Sequence, residues 1–271
     1  MSSLLETNNL TVTFGGLNAN DHVDIKVETG TFVGLIGPNG AGKTTFIDAI
    51  TGFVPTSKGT AIFDGNDLSE LKPHERAQLG LVRTFQSLEL FEDLSVRDNL
   101  LVAAHPTVWY TLVLDALRIK QTNSEIEDRI DWALDVAGLK GLEDQLPTDL
   151  PHGQRKLVGV ARALAAQPNL VLLDEPAAGL DTAESNALGG HLRSLLDHDV
   201  TVFLIDHDMG LVLSVCDFIY VMDFGKIIAS GTPDEVRNNP EVVAAYLGEE
   251  AGEIQARSAD ELRGISDNEG E

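Results

Sequence analysis

The pattern of apolar and polar positions predicts a chain that contains both strands and helices. Residues 4–14 and 21–27 alternate apolar and polar side chains, as half-buried strands do. Residues 31–36 form a short apolar run, and residues 170–173 and 200–205 form two more. Uninterrupted runs such as the last two predict strands that are buried on both faces of a parallel sheet.

Helical spacing dominates the middle of the chain. Apolar side chains recur three or four positions apart between residues 95 and 142, and residues 154–166 predict a further helix. Shorter elements are predicted on either side: helices over residues 44–50, 73–79 and 235–246, and strands over residues 60–63, 218–222 and 226–229.

This layout predicts one α/β core that is interrupted by a helical block. We expect residues 1–85 and 165–248 to form the core and residues 86–164 to form the helical block between its two parts. Residues 249–271 are polar, acidic and poor in apolar side chains, which predicts a disordered tail.

Length and composition limit the class of protein. A chain of 271 residues with 43% hydrophobic side chains suits one large α/β domain or two closely packed subdomains. Residues 1–13 lack the basic and apolar regions of a signal peptide, and no apolar run approaches the ~18 residues that span a bilayer. The single cysteine, Cys216, fits a reducing compartment. We therefore expect a cytoplasmic chain that reaches a membrane only through a partner.

Acidic side chains greatly outnumber basic ones. The sequence has 43 Asp and Glu against 19 Lys and Arg, a formal net charge of −24. Such a surface repels nucleic-acid phosphates, so we expect no nucleic-acid partner. The imbalance resembles that of proteins from salt-loving organisms, whose dense carboxylates stay hydrated in concentrated salt. An ordinary acidic protein with an acidic tail is the alternative.

A glycine-rich segment links the apolar run of residues 31–36 to the predicted helix over residues 44–50. It reads Gly37-Pro38-Asn39-Gly40-Ala41-Gly42-Lys43-Thr44 and is followed by Thr45. Glycines let the backbone curl until its N–H groups point inward, and the helix presents its positive end to an anion. Lys43 supplies a cation for the β- and γ-phosphates, and the Thr44 hydroxyl suits Mg²⁺. The segment predicts nucleotide binding without choosing between kinase, GTPase, helicase and transporter ATPase.

Two carboxylates, Asp174 and Glu175, end the apolar run of residues 170–173. Ligands of open α/β sheets bind beyond the carboxyl ends of the strands, so we expect Asp174 near the metal and Glu175 near the γ-phosphate. An ionised Glu can polarise an attacking water while Mg²⁺ spreads the developing charge. An isolated acidic pair would indicate a solvated turn, but downstream of a phosphate loop this one predicts hydrolysis.

The sequence resembles the ABC ATPase family over residues 4–248. The similarity is carried by GPNGAGKTT at residues 37–45, Gln86, LPHGQ at residues 150–154, LVLLDEP at residues 170–176, AGLD at residues 178–181, and His207. The resemblance implies an α/β fold: a P-loop NTPase core with a mixed or parallel sheet, an N-terminal antiparallel β subdomain and an inserted helical subdomain. It also implies that ATP and Mg²⁺ are the ligands.

The same resemblance implies roles for single residues. Gln86 matches the glutamine that reaches Mg²⁺ and senses the γ-phosphate, and His207 matches the histidine that contacts the γ-phosphate. Asp181 matches the loop that crosses between two ATPase subunits, and its spacing to Glu184 also fits a capping box at a helix start. Phe14 lies where the family stacks an aromatic ring on adenine, although a core aromatic of a strand fits that position equally well.

The signature segment departs from the usual LSGGQ of the family. It reads Leu150-Pro151-His152-Gly153-Gln154, so the serine hydroxyl that would touch the opposing γ-phosphate is absent. Gly153 still permits close backbone approach, and Pro151 suits the start of a helix whose N-terminus faces an anion. His152 either donates to that phosphate or faces solvent.

The resemblance implies partners as well. Two ATPase subunits, identical or different, would close head to tail, each ATP lying between one phosphate loop and the other subunit's signature helix. The pair would work at the inner face of the cell membrane beneath transmembrane permease subunits, with an extracytoplasmic solute-binding protein involved indirectly. We expect residues 87–99, with Phe91 and Val96, to dock the permease; an ordinary loop between subdomains is the alternative.

Several segments are similar to the ATPase subunits of branched-chain amino-acid importers. They are RTFQ at residues 83–86, the LPHGQ variant, PAAGL at residues 176–180, and residues 231–240 and 245–248. The similarity implies ATP hydrolysis coupled to amino-acid import. A urea or amide importer, a lipid exporter and a soluble ABC ATPase are the alternatives, and the absence of basic patches disfavours a nucleic-acid role for the last.

The charge excess generates a prediction about salt. Because concentrated salt screens self-repulsion among the carboxylates, we expect folding and ATPase activity to improve in molar KCl. Denaturant unfolding followed by circular dichroism, with turnover measured over the same salt series, tests this expectation. Best stability and activity in dilute buffer would contradict the halophilic interpretation.

Overall fold

The computed structural model of the protein describes residues 3–84, 90–104 and 124–246. Gln86, residues 105–123 of the helical block and the acidic segment 249–271 lie outside the described residues. The strands are β1 (Ser3–Phe14), β2 (Leu17–Glu28), β3 (Phe32–Ile36), β4 (Lys58–Phe63), β5 (Asn66–Asp67), β6 (Leu81–Arg83), β7 (Leu170–Asp174), β8 (Thr201–Ile205), β9 (Phe218–Asp223) and β10 (Lys226–Gly231). The helices are α1 (Lys43–Thr51), α2 (Pro73–Gln78), α3 (Val96–Ala104), α4 (Ser124–Val136), α5 (His152–Leu164), α6 (Thr182–Ser194), α7 (Met209–Val215) and α8 (Pro233–Arg237).

The strands form two sheets. An antiparallel sheet has the order β2-β1-β4-β5, and a six-stranded sheet has the order β10-β9-β3-β8-β7-β6. Within the larger sheet every neighbouring pair is parallel except β10 and β9, which form an antiparallel hairpin. The predicted α/β class, the mixed sheet and the N-terminal antiparallel sheet are confirmed.

Burial explains why the central strands read as uninterrupted apolar runs. Every residue of β3, β7 and β8 is buried. One face of these strands, including Leu35 and Phe203, packs against α1 and the antiparallel sheet. The other face, including Ile36 and Leu204, packs against the helices from α3 to α7, and Cys216 is part of that core. The central sheet is therefore the layer that holds the phosphate loop and the acidic pair at one edge.

A buried arginine ties α1 to the segment that follows it. The Arg76 guanidinium donates to Ala49 O at 2.7 Å and Ile50 O at 2.9 Å, at the carboxyl end of α1. It also donates to Leu68 O at 2.7 Å and Leu71 O at 2.9 Å. Burial lowers the pKa of Arg76, and its cation faces the negative end of the α1 dipole. These contacts satisfy carbonyls that the helix end would otherwise leave without partners.

The predicted bounds of one helix and the predicted role of one docking residue need correction. The predicted helix over residues 235–246 is interrupted after α8 at Asn238 and Asn239 and resumes over residues 240–246. Val96, expected at a permease-docking surface, is fully buried in the helical part of the core, whereas Phe91 is about half exposed. Across residues 3–84, 90–104 and 124–246, no helix has the length and apolarity needed to cross a membrane.

The Arg76 contacts predict a large loss of stability in Arg76→Met. That change leaves buried carbonyls unsatisfied, so we expect the free energy of unfolding to fall by about 3 kcal/mol. Urea unfolding measures the loss. Lys140→Met is the control, because Lys140 is 62% exposed and its surface ion pair with Asp135 should contribute less than about 0.5 kcal/mol. Equal, small losses in both variants would contradict the role given to Arg76.

Candidate active site

The loop between β3 and α1 is held where the backbone has no room for side chains. Gly37 has φ 152°, and a Cβ added there would lie 2.0 Å from the carbonyl oxygen of Met222. Gly42 has φ 104°, and its Cβ would lie 2.4 Å from the carbonyl oxygen of Ala19. Only glycine fits both the left-handed backbone and these contacts. The loop is therefore wedged between β9 and the start of β2.

The start of α1 gives this loop a positive character. Among the described residues no side chain caps the helix, whose N-cap is Gly42, so its first N–H groups face the loop. Lys43 is buried, and its Nζ donates to Gly37 O at 2.6 Å and Pro38 O at 2.9 Å. A phosphate oxygen accepts more strongly than a neutral carbonyl, so the ammonium can transfer these bonds to an anion.

A cleft of about 360 Å³ lies over the loop. This volume is within the range of small-molecule sites. The described residues that line the cleft come from four segments of the chain: Asn18, Ala19, Asn39, Gly40, Ala41, Gly42, Lys43, Thr44, Thr45, Glu175, Phe224 and Gly225. The structure thus brings most of the sequence-predicted phosphate loop and the candidate base Glu175 to one site.

Asp174 ends β7 as a buried carboxylate, and an arginine fork pairs with it. Arg83 Nη2 donates to Asp174 Oδ2 at 2.7 Å, and Arg83 Nη1 donates to Asp48 Oδ1 at 2.5 Å. Burial raises the pKa of Asp174, and the hydrogen bond from Arg83 opposes that rise. The Asp174 carboxylate and the Thr44 hydroxyl are hard oxygen donors of the kind that Mg²⁺ prefers, so the donor set fits this metal.

The backbone at Glu175 turns its side chain towards the cleft. Its φ of 48° is left-handed, and its N–H donates to Ile205 O at 2.7 Å beyond the end of β7. His207 Nδ1 lies 3.9 Å from Glu175 Oε2 and 3.6 Å from Asp206 Oδ1, both beyond hydrogen-bonding distance. His207 is more than half exposed, so it stands beside the candidate base without being locked to it.

Two buried charged residues near Glu175, Asp206 and Lys156, were not identified from the sequence. Asp206 is fully buried and accepts from Ala177 N at 3.1 Å and from Asp208 N at 2.9 Å. Lys156 of α5 is 8% exposed, and burial lowers its pKa while Asp206 and Glu175 act in the opposite direction. The sequence held a signal for each residue. Asp206 directly follows the apolar strand β8, much as Asp174 stands at the end of β7, and Lys156 lies on the apolar face of α5.

The signature residues and Phe14 do not line the described part of the cleft. Phe14, at the end of β1, is 52% exposed. Pro151 and His152 are exposed at the start of α5, and the His152 ring lies against Gly179. A Cβ added at Gly153 would meet its nearest neighbour, Glu184 Oε1, at 3.8 Å, which is an ordinary contact. Within the described chain, therefore, sterics do not require glycine at position 153.

Asp181 caps α6 as its spacing predicted. Its Oδ1 accepts from Glu184 N at 2.8 Å, and its own N–H donates to Glu184 Oε2 at 3.2 Å. The capping box fixes the turn between Glu175 and α6. Because a Cβ added at Gly153 would lie within 4.0 Å of Glu184 and Leu180 atoms, the signature segment lies beside the Asp181 turn.

Comparisons with known proteins agree with this geometry. The family profile described as "ABC transporter" matches residues 20–178, and the profile "Branched-chain amino acid ATP-binding cassette transporter" matches residues 226–252. The chain is 40% identical over 250 residues to the high-affinity branched-chain amino acid transport ATP-binding protein LivG of Escherichia coli, covering 91% of this chain and 98% of LivG. It is 39% identical over 252 residues to the corresponding protein BraF of Pseudomonas aeruginosa, covering 91% and 98%. A solved structure, the ADP conformation of an ATP-binding cassette of an ABC transporter, has a TM-score of 0.80 and 32% identity, covering 92% of this chain and 100% of that one.

The wedged loop predicts different outcomes for two glycine substitutions. Gly37→Ala forces Met222 and the loop apart, so we expect a loss of at least about 2 kcal/mol in unfolding free energy and weaker ATP binding. Gly40→Ala is the control for left-handed strain alone, because its Cβ meets no described atom within 4 Å. It should cost only about 1 kcal/mol. Urea unfolding measures the stability of both variants, and calorimetric titration measures ATP binding by Gly37→Ala. Equal stability losses in the two variants would argue against a steric role for Gly37.

Proposed function

Because the chain belongs to the ABC transporter family, to which residues 20–178 match, we propose that it binds and hydrolyses ATP as the ATPase subunit of a branched-chain amino-acid importer. The observation that carries the ATPase chemistry is the shared cleft of the phosphate loop and Glu175. The assignment of branched-chain amino acids as the cargo is supported by the names of the relatives LivG and BraF and by the second profile match over residues 226–252.

Different residues of this chain have different roles in the proposed hydrolysis. Backbone N–H groups of residues 40–45 and the Lys43 ammonium hold the β- and γ-phosphates and counter their charge. Glu175, turned into the cleft by its left-handed backbone, accepts a hydrogen bond from the attacking water and polarises it. His207, beside Glu175 and more than half exposed, contacts the γ-phosphate.

Thr44, Asp174 and Gln86 are the proposed holders of Mg²⁺. Asp174 and Thr44 provide the oxygen donors described above, and Gln86 lies outside the described residues. Bound Mg²⁺ would neutralise charge that develops on the phosphate oxygens during transfer. Arg83 orients the buried Asp174 carboxylate and compensates its negative charge, because Arg83 Nη2 donates to Asp174 Oδ2 at 2.7 Å.

A second ATPase subunit completes the site in this proposal. The exposed start of α5, with Pro151, His152, Gly153 and Gln154, would face the γ-phosphate bound by the partner subunit. Two observations support this role: an α5 N-terminus that no side chain caps within the described residues, and a Gly153 whose small size no contact there requires. Asp181, beside this segment, would reach across the same interface. The pair is either a homodimer or a heterodimer.

The helical block over residues 86–164 is proposed as the unit that transmits closure to the permease. Phe91 is about half exposed, with the Arg162 guanidinium 5.9 Å from its ring centre, and Val102 is similarly exposed. These apolar side chains suit a docking surface for a permease helix at the inner face of the membrane. An extracytoplasmic solute-binding protein would then deliver the amino acid to the permease.

Partner capture tests the transport function. The tagged chain, expressed in its own cells, is recovered at high salt from gently solubilised membranes, and its partners are identified by mass spectrometry. We expect multi-span permease subunits and a solute-binding protein, and calorimetry then tests that binding protein with leucine, isoleucine and valine. Recovery of ribosomal or DNA-bound proteins without a permease would overturn the transport role and leave the ATPase chemistry standing.

Replacing the candidate base predicts a variant that binds ATP without turnover. Glu175→Gln keeps the shape of the side chain but cannot accept a proton, so we expect ATP binding to persist and turnover to fall by a factor of about 100 or more. Phosphate release and calorimetry measure the two properties. Glu125→Gln, on the surface of α4, is the control and should hydrolyse ATP at the normal rate. Unchanged turnover in Glu175→Gln would reject Glu175 as the base.

A further inference from the structure

The cleft above the phosphate loop is lined by an aromatic side chain that no motif accounts for. Phe224 lies in the turn between β9 and β10, and it is the aromatic residue among the described lining residues. Its relative exposure of 85% is the highest of the large exposed apolar side chains in the described residues. An apolar ring with so little burial contributes almost nothing to folding through the hydrophobic effect.

The geometry of the turn makes phenylalanine an unfavourable choice for folding. Asp223 pairs with Lys226, so Phe224 and Gly225 form a two-residue hairpin loop with φ values of 42° and 77°. Positive φ at both positions is the type I′ arrangement, in which asparagine, aspartate or glycine is favoured at the first position. A bulky side chain costs about 1 kcal/mol there. Neither burial nor backbone preference favours a phenylalanine here, and the exposed ring is accessible to a ligand.

The turn is anchored directly to the phosphate loop. Gly225 N donates to Ala41 O at 2.8 Å, and Gly225 O accepts from Asp21 N at 2.8 Å. A Cβ added at Gly225 would lie 2.6 Å from Ala19 O, so the hairpin touches the start of β2 as well. The backbone of the turn is therefore held at a set position relative to the phosphate site, and Phe224 lies in that turn.

We propose that Phe224 is a nucleobase-contacting residue, whose ring stacks on the base of the nucleotide that the phosphate loop holds. The cleft offers polar groups from the phosphate loop and Glu175 for a triphosphate, and the Phe224 ring with Ala19 for a flat apolar group. A nucleoside triphosphate has both parts, and stacking of a base on an aromatic ring is favourable for any base. Phe14 does not line the described cleft, although its ring is also exposed. The inference rests on the proposed function, since it requires ATP in this cleft.

Calorimetric titration of the full chain with ATP and with inorganic tripolyphosphate tests this inference. Tripolyphosphate carries the phosphates without base or ribose, so it reports on the phosphate loop alone. We expect Phe224→Ala to raise the Kd for ATP about tenfold and to leave the Kd for tripolyphosphate unchanged. Phe224→Trp, which keeps a stacking surface, should retain the affinity for ATP. Phe53→Ala removes another exposed phenylalanine, beyond the end of α1, and should change neither value.

The outcomes separate this inference from the proposed function. If the unmodified chain binds neither ATP nor tripolyphosphate, the proposed function fails. If the unmodified chain binds ATP and Phe224→Ala binds it equally well, only the role of Phe224 is overturned. A loss of ATP affinity in Phe14→Ala alone would assign the stacking role to Phe14. A loss of affinity for both ligands in Phe224→Ala would show a distorted phosphate loop and would also overturn the inference.

Discussion

Close backbone packing around the phosphate loop is the constraint on which the rest of the structure depends. The loop passes so near β9 and the start of β2 that Gly37 and Gly42 have no room for a Cβ. Hydrogen bonds extend the contact, since Asn20 Nδ2 donates to Gly42 O at 3.0 Å and Gly225 N donates to Ala41 O. Three segments that are far apart in the chain are thereby fixed as one body. Rigid positioning of this kind lets backbone N–H groups bind phosphate without rearrangement.

The sequence predicted the central elements well because burial leaves a strong pattern. Strands β3, β7 and β8 are buried on both faces and read as apolar runs, and α5 shows a regular apolar stripe. The two-residue strand β5 is too short to show a period, and pairing with β4 defines it. The break at Asn238 and Asn239 was missed because apolar spacing continues across it. Val96 was misjudged since sequence position alone cannot tell a docking side chain from a core one.

The candidate site was predictable where chemistry and spacing coincide. The phosphate loop and Glu175 have residue types that few other roles require in that order, and they meet at one cleft. Phe224 and Lys156 could not be found in the same way. Phe224 belongs to a hairpin turn that reaches the loop only through tertiary contact, and Lys156 gains its significance from Asp206 and Glu175 on other elements. The roles of such residues depend on neighbours that meet them only in the folded protein.

Local electrostatics must overcome the charge of the whole molecule for this site to bind an anion. A net charge of −24 repels a triphosphate at long range, but salt screens that repulsion beyond about 10 Å. At short range the N-terminus of α1 and the buried Lys43 present positive charge, and their attraction for an anion is strongest there. Arg83 and Lys156 meanwhile offset the negative charge of the carboxylates that lie at the strand ends. An acidic surface suited to solubility and a cationic site suited to phosphate can therefore coexist because they act over different distances.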